Sequence, residues 1–233
     1  MDDLVNAYRE KTPSMPQKAI LLLMHAVIVS VAAWLLFGGG NTRLSTAIGL
    51  RPADAIVLRR SLLLAAAVIY ALRVQVTTFV FIKRSMAWSE AFTIGVWILV
   101  INVAMAFLGG RNAAPFGGVG ISGVVLYLTG SLFNTGSELH RHLWKLNPQN
   151  EGRLFTKGLF RLTRHPNYFG DLLLFTGWAM VAGNLWLLII PLLMFCGFAF
   201  LNAPALDRYL AEHYGEQYDS WAQRTPRLVP FLW

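Results

Sequence analysis

Charged residues are scarce in this sequence, and that scarcity excludes several classes of protein. Asp, Glu, Lys and Arg make up 14% of the 233 residues, whereas about 25% is usual in a soluble domain. Hydrophobic residues make up 55% and recur in long runs along the chain. This composition excludes intrinsic disorder, coiled coil and collagen, and it argues against a soluble globule.

Cysteine is also scarce, since Cys196 is the one cysteine of the chain. A disulfide framework or a cysteine-based metal site within one chain is therefore excluded. Cys196 lies in an apolar run and is predicted to be a buried small residue. No metal site is predicted, because His140 and His142 lie two positions apart on a predicted helix and point to different faces.

The apolar runs predict an all-α integral membrane protein, a bundle of about six transmembrane helices of about 20 residues each. The first run is predicted to be a retained span and not a cleaved signal. Gly183 and Asn184 alone separate the last two runs, which predicts a tight helical hairpin. The predicted spans are 19–38, 61–82, 91–108, 117–133, 168–182 and 185–201.

The distribution of basic residues predicts the orientation of these spans. Fourteen of the 20 Lys and Arg residues fall on one side of the predicted bundle and five on the other. Because basic loops stay cytoplasmic, both termini are predicted to be cytoplasmic, in a bacterial inner membrane or the endoplasmic reticulum. A polar loop over 134–167 and an amphipathic C-terminal tail, broken near Gly215, share that side.

Residues 118–123 match the dinucleotide fingerprint G-x-G-x-x-G. That fingerprint requires a preceding strand and a helix whose N-terminus receives the pyrophosphate. Neither is predicted here, because the glycines lie within a membrane span. They are therefore interpreted as small residues that let helices pack closely.

A polar face is predicted where the fourth span continues into the loop. If the helix continues, Asn134, Glu138, Arg141, His142 and Lys145 fall on one side of it. Two interpretations remain open. The face is either a solvated helix end with paired side chains or one wall of a polar site at the cytoplasmic interface.

A second polar segment leads into the fifth span. Pro166 suits the first turn of a helix, whose free N–H groups would then face Arg161, Arg164 and His165. Such a helix end is an anion site, although positive-inside anchoring with an N-terminal cap also explains these residues. Asp171 enters the predicted bundle, where a carboxylate usually has a partner or a function.

The segment 164–171, Arg-His-Pro-Asn-Tyr-Phe-Gly-Asp, resembles the signature of the steroid 5-alpha-reductase and sterol-reductase superfamily. The resemblance covers roughly the last 100 residues. The shorter core Arg-His-Pro-x-Tyr-x-Gly is also similar to isoprenylcysteine carboxyl methyltransferases, while the full form is closer to the reductases. The resemblance implies a single membrane domain, with substrate-side helices in 1–110 and cofactor-binding helices, loop and tail in 117–233.

The resemblance to the reductases implies NADPH bound in a cavity open to the cytoplasm. Asn134, Glu138 and Lys145 would lie on its adenosine and phosphate side, and Tyr214 would help to close the site. Trp221 and neighbouring tyrosines of the tail either cover an aromatic ring or anchor at the interface. The candidate cofactor-binding residues are Asn134, Glu138, Arg141, Lys145, Arg161, Arg164, His165, Asn167, Tyr168, Asp171, Tyr214 and Trp221.

The second span supplies the candidate catalytic residues. Steroid-reducing members of the superfamily place a Glu in an early span, and the first span here has none. Tyr70 is predicted to donate a proton and Arg73 to hold an oxyanion or an acidic head group. The plainer alternative is that Arg73 pairs within the bundle.

These features predict a membrane oxidoreductase that uses NADPH to reduce a C=C bond in a steroid, sterol or isoprenoid substrate. The alternative is a membrane methyltransferase that uses S-adenosylmethionine, and a non-enzymatic membrane scaffold is the third possibility. The expected partners are the lipid bilayer and a lipophilic small molecule. Nucleic acid is not expected, because the basic residues flank membrane spans.

Overall fold

The computed structural model describes residues 14–232, and within that range the fold is entirely helical. Two short 3₁₀ turns, Pro148–Asn150 and Gly158–Arg161, lie in the loop before the sixth helix. The helices are α1 (Met15–Phe37), α2 (Gly40–Ala47), α3 (Val57–Phe81), α4 (Trp88–Gly110), α5 (Gly118–Lys145), α6 (Pro166–Ala182), α7 (Leu185–Tyr214) and α8 (Glu216–Ala222).

Five of these helices are long and apolar enough to cross a membrane, namely α1, α3, α4, α5 and α7. The chain is therefore a multi-pass helical membrane protein. The predicted fifth span corresponds to α6, which has 17 residues and is shorter than the others. As the sequence predicts, Pro166 lies in its first turn, and Gly183, at φ 68°, turns the chain into α7.

One end of the bundle, called the basic end here, brings together the start of α1, the ends of α3, α5 and α7, and the start of α6. Lys18 Nζ donates to the carbonyl of Ile82 at 2.9 Å. The ring of Phe81 lies 5.6 Å from that of His142, measured between centroids. The polar residues predicted to form a site lie at this end, so α5, α6 and the tail can position them together.

At the opposite end, Arg59 ties α3 to a loop and to α6. Its guanidinium donates to the carbonyls of Val181 at 3.2 Å and Ala114 at 2.8 Å, and to that of Asn112. Asn112 in turn donates to the carbonyl of Gly183 at 2.9 Å. Arg59 is 4% exposed, and these carbonyls satisfy its donors in place of a carboxylate.

Glycines hold α5 and α6 in close contact. A Cβ added at Gly123 would lie 2.7 Å from the carbonyl oxygen of Gly177, and one at Gly130 would lie 2.4 Å from that of Gly170. No real Cβ approaches a backbone oxygen so closely. Of the three glycines of the nucleotide-like motif, Gly123 lies on this helix-packing face, as the sequence predicts, whereas a Cβ at Gly118 would meet no atom within 4 Å and one at Gly120 would meet the ring of Phe116.

Three of the long helices contain a π-helical turn. These turns are Thr77–Phe81 in α3, Leu132–Gly136 in α5 and Phe198–Asn202 in α7. A π turn inserts an extra residue and so changes which side chains face inward, and such turns are frequent at functional sites. The turn in α5 contains Asn134.

The packed core lies between α1, α3, α4, α5 and α6, with Phe175 and Trp178 of α6 at its centre. Many large apolar side chains are exposed on the outside of the bundle, as expected of a surface that faces lipid. The prediction for Cys196 is wrong, because its side chain is exposed on α7. An apolar run on a lipid-facing helix does not distinguish buried residues from lipid-exposed ones.

Candidate functional site at the basic end of the bundle

Asn134 joins α5 to the first turns of α6. Its Nδ2 donates to the carbonyl of Asn167 at 3.1 Å and to Oδ1 of Asp171 at 2.9 Å. Gly170 permits this contact, because a Cβ there would lie 2.4 Å from the backbone nitrogen of Asn134. The structure thus brings together Asn134, Asn167 and Asp171, three of the predicted cofactor-binding residues.

Arg73 reaches the same place from α3. Its Nε donates to Oγ1 of Thr135 at 2.7 Å, and its Nη2 lies 4.0 Å from Oδ1 of Asp171. Its Nη1 is buried and has no hydrogen-bond partner among the described residues. The arginine therefore pairs within the bundle, as the plainer alternative held, and still has a free donor for a ligand.

Tyr70 lies one turn before Arg73, in an aromatic setting. Its ring centroid is 5.3 Å from that of Phe175 and 6.1 Å from that of Trp178. The Cζ atom of Arg73 lies 6.0 Å from the centre of the Tyr70 ring. The two candidate catalytic residues are therefore neighbours, and their role stays a prediction.

A second polar cluster surrounds Asp207 near the end of α7. Oδ1 of Asp207 is 2.9 Å from Nε2 of His165. Oδ2 is 3.0 Å from Nη1 of Arg164 and 2.9 Å from Nε of Arg227. Arg164 also donates to the hydroxyl of Tyr218 at 2.7 Å. The cluster binds the loop before α6, the end of α7 and the tail to one another.

Burial governs the ionisation of this cluster. Desolvation lowers the pKa of His165, and the hydrogen bond to Asp207 opposes that shift. Desolvation also raises the pKa of Tyr218, as does its interaction with Asp207. At neutral pH His165 is therefore a neutral donor to the carboxylate, and the arginines supply the compensating positive charge.

Further out on α5, two predicted residues pair with each other and a third contacts the tail. Glu138, which is largely buried, forms a salt bridge with Arg141 one turn later. Lys145 Nζ donates to the hydroxyl of Tyr214 at 2.9 Å and to the carbonyl of Arg153 at 2.7 Å. Tyr214, the last residue of α7, therefore contacts the end of α5, and its part in closing a cofactor site stays a prediction.

The remaining candidates lie at the edge of these clusters. The ring of Tyr168 stacks between those of His165 and Phe198, at centroid distances of 5.3 Å and 4.6 Å. Trp221 is buried and donates through Nε1 to the carbonyl of Phe160 at 3.2 Å. Arg161 contacts neither polar cluster and lines a separate cleft beside Trp221.

The sequence analysis predicts no role for three residues that the structure places in the clusters, namely Asp207, Arg227 and Thr135. Asp207 had a local signal, because it is an acidic residue at the end of an apolar run, on the side where basic residues collect. Arg227 and Thr135 had no such signal. Their partners lie 20 and 62 positions away in the chain.

The residues at the basic end provide the polar groups that a nucleotide-derived cofactor needs. Within residues 14–232 no hydrogen-bond acceptor contacts the buried Nε of Arg164 or the buried Nη1 of Arg73, and guanidinium groups bind carboxylates and phosphates. The carboxylates of Asp171 and Glu138 can face a cation. This donor set fits either S-adenosylmethionine or NADPH.

Named relatives of the chain are methyltransferases. Probable O-methyltransferase ustE from Ustilaginoidea virens is 34% identical over 90 residues, which are 38% of this chain and 31% of that protein. Protein-S-isoprenylcysteine O-methyltransferase B from Arabidopsis thaliana is 31% identical over 98 residues, 42% of this chain and 50% of the relative. The A form from the same plant is 26% identical over 115 residues, 47% of this chain and 58% of the relative. The chain thus matches less than two thirds of each relative's length.

A family model matches residues 73–225. The match begins at Arg73 and contains every candidate cofactor-binding residue, whereas Tyr70 precedes it. Its description is "Protein of unknown function (DUF1295)", and the family lies in the steroid 5-alpha-reductase-like superfamily. The match covers well over half of the chain, which therefore belongs to the DUF1295 family.

Proposed function

We propose that the chain is a membrane methyltransferase that uses S-adenosylmethionine to methylate an oxygen atom of a lipophilic, isoprenoid-like substrate. The observation that carries this proposal is the similarity to O-methyltransferases from a fungus and from plants. Two of these relatives are named for action on isoprenylcysteine. The relatives favour this function over the NADPH-dependent reduction that the reductase resemblance implies.

The chemistry of the proposed cofactor suits the clusters at the basic end. S-adenosylmethionine supplies an activated methyl group on a positively charged sulfur and carries a carboxylate, an ammonium group and an adenine. The Nε of Arg164, which has no partner among the described residues, would bind the carboxylate. Glu138 and Asp171 offer negative charge for the cationic groups, and the half-buried ring of Tyr214 offers a surface for the adenine.

The substrate's oxygen atom is proposed to bind on the membrane side of the cofactor. There the free Nη1 of Arg73 can hold an anionic oxygen in place, while Thr135 and Asp171 fix the rest of the guanidinium. Tyr70, which is half-buried and packs on the core residue Trp178, would present its ring to the lipid chain of the substrate. The chain's task is orientation, since holding two reactants in line supplies much of the rate enhancement of a group transfer.

The test is a thermal-shift measurement on detergent-purified protein with S-adenosylmethionine, NADPH and NADH in parallel. A ligand that binds the folded state raises the melting temperature by mass action. We expect S-adenosylmethionine to stabilise the protein. Asp171→Asn should weaken that binding by about tenfold or more, because a charge-assisted contact is lost. Asp54→Asn, on an exposed residue of the α2–α3 connection, is the matched control.

A second measurement tests the transfer itself. The protein is incubated with methyl-labelled S-adenosylmethionine and a synthetic isoprenylcysteine, and the label is followed into the organic phase. We expect the unmodified protein to transfer the label and Arg73→Gln to abolish the transfer. Stabilisation by NADPH alone, with no label transferred, contradicts the proposal.

NADPH-dependent reduction of a C=C bond remains the second candidate function. Two observations favour it. The family lies in the reductase-like superfamily, and Tyr70 pairs with Arg73 beside the half-buried carboxylate of Asp171. In that reaction the cofactor supplies a hydride, while Arg73 would polarise the acceptor and Tyr70 would donate the proton. Oxidation of NADPH, followed by absorbance with a conjugated isoprenoid ketone, would support this candidate.

A further inference from the structure

A polar cleft of about 560 Å³ lies at the basic end, outside the two clusters described above. One wall is the segment before α6 and the other is the end of α8 with the tail that follows it. It is lined by Thr156, Lys157, Arg161, Trp221, Arg224 and Thr225. The cleft is therefore built from two segments distant in sequence that the fold brings together.

The cations of the cleft are uncompensated. Among the described residues, Lys157, Arg161 and Arg224 form no ion pair or side-chain hydrogen bond. This sets them apart from Arg164 and Arg227, which both bind the carboxylate of Asp207. Three exposed positive charges that line one cleft without a carboxylate favour an anion between them.

The other lining residues suit an anion with several oxygen atoms. Thr156 and Thr225 carry hydroxyl groups that can donate to oxygen atoms. Trp221 is 3% exposed and is fixed by its bond to the carbonyl of Phe160. Arginine forks and hydroxyl donors around one point are the groups that bind the three oxygens of a phosphate ester.

We propose that this cleft binds the phosphate group of a phosphate ester, either an anionic lipid headgroup or a soluble phosphate. Lys157, Arg161 and Arg224 neutralise the phosphate, and the two threonines donate hydrogen bonds to it. S-adenosylmethionine has no phosphate, so this site goes beyond the proposed function. Its test is a binding measurement, whose outcome does not depend on whether the chain transfers a methyl group.

The cleft adjoins the Asp207 cluster. The ring centroids of Trp221 and Tyr218 are 5.9 Å apart, and the hydroxyl of Tyr218 accepts from Arg164 at 2.7 Å. Trp221 therefore joins the cleft to the Asp207 cluster through Tyr218.

The experiment measures the melting temperature of the full chain in a non-ionic detergent with three ligands. These are dioctanoyl phosphatidic acid, glycerol 3-phosphate and, as the control without phosphate, dioctanoylglycerol. We expect phosphatidic acid to stabilise the protein and dioctanoylglycerol to have no effect. Stabilisation by glycerol 3-phosphate as well identifies a soluble phosphate as the source, and stabilisation by phosphatidic acid alone identifies a lipid headgroup.

Charge variants separate the cleft from the general basicity of the loop. Arg161→Gln and Arg224→Gln should each weaken binding of phosphatidic acid by about fivefold. Arg153→Gln removes the same charge from an exposed residue of the same loop, outside the cleft, and should leave binding unchanged. Equal losses in all three variants, or an equal shift with dioctanoylglycerol, would overturn the proposal.

Discussion

At the scale of single residues, Asp207 is the point on which the basic end depends. It is 7% exposed, and its two oxygens contact His165, Arg164 and Arg227, which come from two separate parts of the chain. A buried carboxylate is costly to desolvate, and it is tolerated because cations and hydrogen-bond donors surround it. Removing its charge would leave the arginines uncompensated.

We therefore expect Asp207→Asn to lower the free energy of unfolding by about 3 kcal/mol. Thermal melting in detergent would show this loss. Asp54→Asn changes charge by the same amount at an exposed position and should have little effect. A melting temperature of Asp207→Asn equal to that of the control would show that the cluster adds nothing to stability.

The protonation of His165 predicts how stability depends on pH. Since burial lowers the pKa of His165 in the folded protein, the unfolded chain takes up a proton at higher pH than the folded one does. Stability is then present above the ordinary histidine pKa of about 6.5 and is lost as the pH falls through it. The melting temperature should decrease as the pH falls through this window. In His165→Gln the melting temperature should depend less steeply on pH.

The exposed His213 provides the comparison for this pH profile. His213→Gln should keep the slope of the unmodified protein. An unchanged slope in His165→Gln would assign the pH dependence to another group.

At the scale of elements, the contact between α5 and α6 positions the candidate site. The glycines at this contact let two backbones approach so closely that Asn134 can donate to both Asn167 and Asp171. Gly130→Ala should move the helices apart and lower stability by roughly 1–3 kcal/mol, as overpacking does. Melting and binding of S-adenosylmethionine should both decrease.

Gly118 is the matched control for this change. It lies on the same helix, and a Cβ there meets no atom within 4 Å. Gly118→Ala should therefore leave melting and ligand binding unchanged. If Gly130→Ala behaves in the same way, close packing of α5 and α6 does not position the site.

The extents of most helices could be predicted from the sequence, because apolar runs, Pro166 and Gly183 are local signals. The candidate residues on α5 and α6 could be predicted too, since each precedes or follows such a run. The Asp207 cluster could not, because its hydrogen bond to His165 joins residues 42 positions apart. The π turn around Asn134 also leaves no mark in the hydrophobic pattern.

At the scale of the whole molecule, the alternation of the helices places the loop before α6 and the end of α7 at one end of the bundle. The count of basic residues predicts that this end is cytoplasmic. The prediction can be checked with single-cysteine variants in a Cys196→Ser background. Arg51→Cys should react with a membrane-impermeant maleimide in intact cells, and Arg153→Cys only after the membrane is permeabilised. The reverse pattern would show the opposite orientation.

Arg59 has a mechanical consequence for the molecule. By binding the carbonyls of Asn112, Ala114 and Val181, it holds α3, the loop after α4 and the end of α6 together at one end of the bundle. Separation of α3 from α6 at that end would break several hydrogen bonds at once. Separation of α3 from α6 would cost less at the other end, where Nη2 of Arg73 lies 4.0 Å from Oδ1 of Asp171. For the proposed methyltransferase, the gap between α3 and α6 at that end is therefore the expected entrance for a lipid substrate.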